Sequence, residues 1–365
     1  MNILHLTTHV NTGGIASYLL TLCGGLAKEG HSVHVISSGG DTREGLVSRG
    51  VACADRDIRT KSELSPKIYM ALGPVKRYIR ENNIDIIHAH TRVTQVMAFW
   101  LGRLCGVPFV ATCHGFFKPR FARRVFPCWG RQTIAISEPV ADHLTGDFHL
   151  PRERVHVVHN GISLGDFPVV DPETRAQNRV KLRLGDGPVI GMIARLSDVK
   201  GQDILLRSLP KVVEEFPEIK TILVGQGKEK DRLDALIKSL SLAEYVRIIE
   251  ARGEVPFYLS VMDIFINPSR MEGLGLSVME AQASGLPVIA SRIGGIPSLI
   301  VHGKTGYMVE PQDEGALASM ICKVLYNPGD AHAVGENAAA HARQHYGAGL
   351  MVEKTLEVYA EALKP

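Results

Sequence analysis

The chain lacks the marks of a secreted, membrane-spanning or nucleic-acid-coating protein. Its six cysteines, Cys23, Cys53, Cys105, Cys113, Cys128 and Cys322, form no C-x-x-C pair and no metal-ligand spacing. Reduced thiols in a cytoplasm are therefore expected. No 18-residue stretch is apolar and charge-free enough to span a bilayer. The opening MNILHLTT has neither a basic n-region nor a cleavage site, so it reads as a strand and not as a signal peptide. Neither sign of charge is in excess: 41 basic against 38 acidic residues give a net charge of +3. That balance argues against a dedicated nucleic-acid binder but leaves room for a local basic patch. Low-complexity segments and short-period repeats are also missing. What remains is the composition of a soluble globular protein, 45% hydrophobic and 22% charged. At 365 residues the chain exceeds what one core normally serves, so two domains are expected.

Strand-like and helix-like runs alternate along the sequence. NILHLTT is followed by GGIASYLLTLCGGLAKEG, where Ile15, Leu19, Leu22 and Leu26 fall at helical spacing before Gly30. HSVHVISS, IDIIHAH, FVATCHG, TIAIS and RVHVVHNG continue as short β-branched runs, which predicts a parallel doubly wound sheet. Between residues 165 and 187 the texture turns polar and rich in proline and glycine, and a linker is expected to begin there. The pattern resumes with PVIGMIARL, KTILVGQG, VRIIE, DIFINPS, PVIAS and GYMVE. Two tandem Rossmann-like α/β domains follow from this, over residues 1–166 and 167–346, with LMVEKTLEVYAEAL as a C-terminal helix inside residues 347–365.

Ligands of such sheets bind beyond the carboxyl ends of the strands, so those ends carry the candidates. After the first strand, Gly13 and Gly14 open a helix whose amides could face an anion, although a plain turn explains them equally well. His114 ends another strand, as a catalytic or a structural histidine. Arg195 and Lys200 follow PVIGMIA, a fork and a point charge suited to phosphates if they are more than surface charge. Gly225 follows TILV. After DIFINPS comes MEGLGLSVMEAQASGLPVIAS, with Glu272 in a predicted loop and Glu280 in the predicted helix beyond it. Two nearby acids suggest acid/base catalysis, which in sugar hydrolases needs carboxylates facing each other across one bond.

The ordered set resembles the retaining, nucleotide-sugar-dependent glycosyltransferases of family 4, over essentially the whole chain. The most specific feature is E-x7-E, Glu272 to Glu280. HG at His114, ISE at Ser137-Glu138, HNGI at Asn160-Gly161, ARL…KG at Arg195 and Lys200, VGQG at Gly225 and GGIPSLI…GKTGYMV also match. Most relatives carry an aromatic in place of Leu274 and methionine in place of Gln282. The resemblance implies a GT-B fold, two facing Rossmann-like domains with an interdomain cleft, whose C-terminal helix returns to the N-terminal, acceptor-binding domain.

It further implies that Glu272 holds the hydroxyls of the donor sugar and Glu280 those of the ribose, where charge-assisted bonds favour acids over amides. Arg195 and Lys200 would balance the charge growing on the leaving diphosphate, helped by amides near Gly13, Gly14 and Gly275. Gly273, Leu274, Gly275, Leu276 and Gly225 would line the donor, and His114 would join the catalytic group. The donor is a substrate, expected to be a UDP-sugar, and no cofactor or metal is expected. The sequence does contain a D-x-D, Asp55 and Asp57, in a polar loop with no strand pattern leading into it. Competing readings are a nucleotide-sugar epimerase, which needs no acceptor, and a non-catalytic nucleotide-sugar binding protein.

One stretch stands apart. GFFKPRFARRVFPCWGR, residues 115 to 131, carries Lys118, Arg120, Arg123, Arg124 and Arg131 among Phe116, Phe117, Phe121, Phe126 and Trp129, with no acid. Such a patch suits an anionic membrane face or a phosphorylated acceptor, though a helix with a solvated basic side would read the same. The expectation is a cytoplasmic enzyme, peripheral at most, taking a glycan or lipid-linked glycan acceptor in surface polysaccharide or lipopolysaccharide assembly.

Overall fold

The computed structural model describes residues 1–118, 123, 126–250 and 255–364. The chain forms two compact units, Met1–Gly161 joined by Ala348–Pro365, and Ile162–Gly347. The divisions thus fall at 161/162 and 347/348, where the sequence pattern suggested 166/167 and 346/347. Gly161 explains the earlier break. Its N–H donates to Met351 Sδ at 3.0 Å, and a Cβ on it would lie 2.8 Å from Ala348 Cα. The chain therefore stays with the C-terminal helix until Gly161.

The first unit has seven parallel strands: β1 Asn2–Leu6, β2 Ser32–Ser37, β3 Ala52–Asp55, β4 Ile86–Ala89, β5 Phe109–Cys113, β6 Gln132–Ala135 and β7 Val155–Val157. Their order is β3-β2-β1-β4-β5-β6-β7. Apolar runs such as NILHL suit strands covered on both faces. Ile3, Ile86 and Val110 share a core with the helix Gly14–Lys28, while Leu4, Leu6 and Ile87 share another with the helices Pro66–Glu81 and Arg92–Cys105. The C-terminal helix Ala348–Leu363 completes the first of these cores with Met351, Val352, Val358, Tyr359 and Ala362. β3 escaped the sequence pattern because ACAD is short and half-exposed, without apolar alternation. It leads directly into Asp55-Arg56-Asp57, so a strand does precede the D-x-D.

The second unit has six parallel strands: β8 Val189–Ile193, β9 Lys220–Val224, β10 Val246–Ile249, β11 Ile264–Asn267, β12 Val288–Ser291 and β13 Tyr307–Val309, in the order β10-β9-β8-β11-β12-β13. The polar stretch read as a linker contains a helix, Pro172–Leu182, capped by Asp171 Oδ1 accepting from Thr174 N at 2.8 Å. It buries none of its residues. Instead Arg175 and Arg179 reach Asp263 at 3.2 and 2.7 Å, and Asp263 also accepts the Val189 N–H. An ion-paired helix leaves no apolar stripe for periodicity to detect.

In each sheet the chain winds outward, returns to the middle and winds the other way. The reversal lies between β1 and β4 in the first unit and between β8 and β11 in the second. These are the two positions where a doubly wound sheet opens a crevice at its carboxyl edge. Among the described residues no helix is long and apolar enough to cross a membrane.

Candidate functional site

At the β8/β11 reversal two strand-end loops are bonded together. The turn Asp198–Lys200 follows β8, and residues 268–275 follow β11. Arg270 N and Met271 N both donate to Val199 O, at 2.9 and 3.3 Å. Arg270 also sends NH1 to Asp198 O at 2.8 Å and forks onto Asp203 Oδ1 and Oδ2 at 2.7 and 2.8 Å, a bidentate pair with defined geometry. Gly201 is required between the loops: its φ is +71°, and a Cβ would lie 2.1 Å from Pro268 O. Gly225, after β9, presses equally close to the β8 loop, its missing Cβ 2.0 Å from Ala194 O.

This frame brings Lys200 Nζ to 2.7 Å from Glu272 Oε2. Ser269 Oγ donates to the same oxygen at 3.2 Å. Glu272 is buried, and a carboxylate there needs such compensation. Both contacts fall on Oε2. Arg195 lies exposed at the end of β8, its own carbonyl accepting from Gln202 Nε2 at 2.9 Å. Gly273, Gly275 and Leu276 continue the loop into the helix Leu276–Ala283. Leu274 points into the core, 1% exposed, so only its backbone faces outward. Gln282 is buried too and staples the following segment, Nε2 donating to Leu299 O and Thr305 O at 3.1 and 2.9 Å.

Glu280 sits half-buried on that helix. Burial pushes its carboxyl from the usual 4.5 up to about 8. Unlike Glu272, it has no cation to offset desolvation among the described residues, so it takes a proton near neutrality.

The remaining candidates lie in the first unit. Gly13 starts the helix Gly14–Lys28. His114 follows β5, its Nε2 3.2 Å from His90 Nδ1 and its ring edge-on to Tyr18 at 4.7 Å. Burial pushes it down to about 3, which makes it a poor base but leaves it able to donate a hydrogen bond. Lys118 is exposed, and Arg123 lies 4.3 Å over the Phe117 ring. Arg120 and Arg124 lie outside the described residues. Several aromatics of the patch turn inward: Trp129 is buried against Phe148, ring centroids 5.3 Å apart, and Phe126 packs on Phe99 at 4.8 Å. Arg131 caps the C-terminal helix through the carbonyls of Ala362 and Lys364. In the D-x-D, Asp55 pairs with Arg43 at 3.4 Å and Asp57 with Lys67 at 2.8 Å.

Sequence reasoning missed the bracing residues Ser269, Arg270 and Asp203, which carry no signal without the fold. It also missed His5, His88 and His90, although a histidine inside NILHL and two in IDIIHAH are unusual polar choices for buried strands.

Two Rossmann-like units in tandem match the fold of GT-B glycosyltransferases. Two family models match, one described as Glycosyltransferase Family 4 over residues 12–166 and one as Glycosyl transferases group 1 over residues 174–341. The chain belongs to the family 4 glycosyltransferases. It is 29% identical to a GDP-mannose-dependent alpha-(1-6)-phosphatidylinositol monomannoside mannosyltransferase from Mycolicibacterium smegmatis, over 88% of each chain. It is 26% identical to a D-inositol 3-phosphate glycosyltransferase from Thermobispora bispora, over 97% of this chain and 91% of the other. Anabaena HepE in complex with UDP-glucose shares the fold, with a TM-score of 0.88 at 22% identity, over 99% of this chain and 100% of that one.

The raised Glu280 carboxyl generates a prediction. If Glu280 takes the two ribose hydroxyls as a carboxylate, it must first lose its proton, and nucleotide affinity should rise with pH and level off above about 8. The sign for folding is opposite: the folded state binds the proton more tightly, so this group's contribution to stability falls as pH rises from about 4.5 to about 8. Calorimetric titration with UDP from pH 6 to 9 (~tenfold per unit at most) checks the first statement. Glu280→Gln should flatten the profile, and an unchanged slope in that variant would refute the assignment.

Proposed function

We propose that the chain is a retaining, metal-independent glycosyltransferase moving a hexose or N-acetylhexosamine from a UDP-sugar to a hydroxyl of a glycan or lipid-linked glycan. Surface polysaccharide or lipopolysaccharide assembly is the pathway class that fits such an acceptor. The observation carrying this reading is the placement of Arg195, Lys200 and Glu272 at the β8/β11 reversal. The cations face a leaving diphosphate, Glu272 takes the hydroxyls of the sugar, and Glu280 those of the ribose. The acceptor oxygen bonds to the anomeric carbon as the bond to the diphosphate breaks. The hydroxyl proton passes to the departing phosphate oxygen on the same face. Glu272 and Glu280 act as a donor clamp and take no part in proton transfer.

The sugar nucleotide in HepE supports a UDP donor, while the GDP-mannose dependence of the mycobacterial relative supports shared handling of the diphosphate. A thermal-shift panel of UDP-, GDP- and ADP-sugars separates the bases, because ligand at 100 times its Kd adds about 2.7 kcal/mol. Release of free UDP only when an acceptor is present tests transfer itself. Acceptor-independent conversion of the donor sugar would instead indicate an epimerase.

Neutralisation of the leaving group should be costly to remove. Arg195→Ala and Lys200→Ala should each lower kcat by on the order of 10²-fold, as loss of one transition-state donor does. EDTA should leave activity intact. Loss in chelator, restored by magnesium or manganese, would return Asp55 and Asp57 to consideration.

The exposed Lys118, in a run with Arg120, Arg123 and Arg124, supports docking on an anionic membrane, each basic group adding about 1 kcal/mol near the surface. Co-sedimentation with anionic liposomes should fall with salt and in an Arg120/Arg123/Arg124→Ser variant. Equal pelleting with neutral and anionic liposomes, or none with either, would favour a soluble acceptor.

A further inference from the structure

A row of polar groups interrupts the apolar face of the first sheet at its own reversal point. His5 on β1 and His88 on β4 are register partners, and Thr112 follows on β5. Tyr359 OH lies 2.6 Å from His88 Nδ1, and Thr112 Oγ1 lies 2.6 Å from His88 Nε2. Beside this runs a second series: His5 Nδ1 to His90 Nε2 at 3.0 Å, then His90 Nδ1 to His114 Nε2 at 3.2 Å. His5, His88 and His90 offer nitrogens within 4.8 Å of one another, close enough for a metal. Their nitrogens are already committed, however. Both of His88 and both of His90 are hydrogen-bonded, and only His5 Nε2 is without a partner.

We infer that His5 and His90 are positioning residues that fix His114 as its Nδ1-protonated tautomer, so that His114 presents a neutral N–H donor to a hydroxyl oxygen of a sugar substrate at the first unit's carboxyl edge. A neutral imidazole has one N–H and one lone pair. Burial keeps all these rings neutral, lowering His5 and His114 to about 3 and His90 well below the usual range. Three neutral rings joined by two bonds can align in only two directions. If His114 donates inward, the series ends in an N–H on His5 Nε2, which is buried without an acceptor. If His5 donates outward, the series ends there in a lone pair instead. Orphaned buried N–H groups are the rarer defect, and His88, spent on Tyr359 and Thr112, cannot relieve one. The outward direction therefore holds: His5 Nδ1–H donates to His90, and His90 Nδ1–H donates to His114 Nε2. The proton of His114 then sits on Nδ1, which has no protein partner among the described residues. An uncharged N–H donor can serve a hydroxyl oxygen.

The hydroxyl assignment rests on the proposed transferase reading; the tautomer does not, and the test separates them. Proton–nitrogen correlation spectra of the full chain with ¹⁵N-histidine, assigned by His114→Asn and His90→Asn, report each ring's protonated nitrogen. His5, His90 and His114 should all carry the proton on Nδ1 at neutral pH. A proton on His114 Nε2, or a doubly protonated ring, overturns the proposal. His5→Asn, whose amide can still donate to His90, should keep the tautomer and the transfer rate. His5→Phe should release the tautomer and lower kcat/KM about tenfold, the worth of one hydrogen bond. Should His5→Phe leave His114 unchanged, His5 is not the anchor. A fixed tautomer together with full transfer activity in His114→Ala would overturn the donor role alone.

Discussion

The contact between Lys200 and Glu272, 2.7 Å across two strand-end loops, is the constraint on which the second unit's carboxyl edge depends. Glu272 is buried deeply enough that an unpaired charge would be expensive, and breaking one member of such a pair typically costs about 3–5 kcal/mol. The pair is held from outside by the Arg270 fork onto Asp203, and from beneath by Gly201 at a position closed to any side chain. The loops are thereby set before any ligand arrives. Preorganised charge of this kind stabilises a leaving anion without reorganisation during the reaction.

The two reversal points carry different chemistry on the same topology. Between β8 and β11 stand full charges. Between β1 and β4 stand imidazoles held neutral by burial. Glu280 belongs to neither pattern, being an acid that keeps its proton until something replaces the lost solvent. On the proposed reading ribose hydroxyls do so, which would link nucleotide recognition to proton release.

Much of this was legible in the sequence, because strands buried on both faces read as continuous apolar runs and strand ends were marked by glycine and charge. Twelve strand-like runs stood out in the sequence, against thirteen strands among the described residues. The one overlooked, ACAD, lies at a half-exposed edge where neither burial nor alternation is imposed. The Pro172–Leu182 helix was hidden because ion pairs to Asp263 anchor it, with no apolar stripe. At the site, the spacing of Glu272 and Glu280 correctly separated a loop acid from a helix acid. Which acid would be ion-paired and which protonated depends on neighbours 72 residues distant, as Lys200 is from Glu272, and no local pattern encodes that. Leu274 and Gln282, two departures from the family pattern, are both buried, so they act through packing and loop stapling.

Isothermal titration of Glu272→Gln with UDP and with UDP-glucose tests most directly whether the acid pair is a donor clamp. The difference between UDP and UDP-glucose should disappear in this variant, while UDP itself still binds, with an affinity altered by the freed Lys200. If the sugar's contribution survived intact, Glu272 would not be the group that holds the transferred sugar.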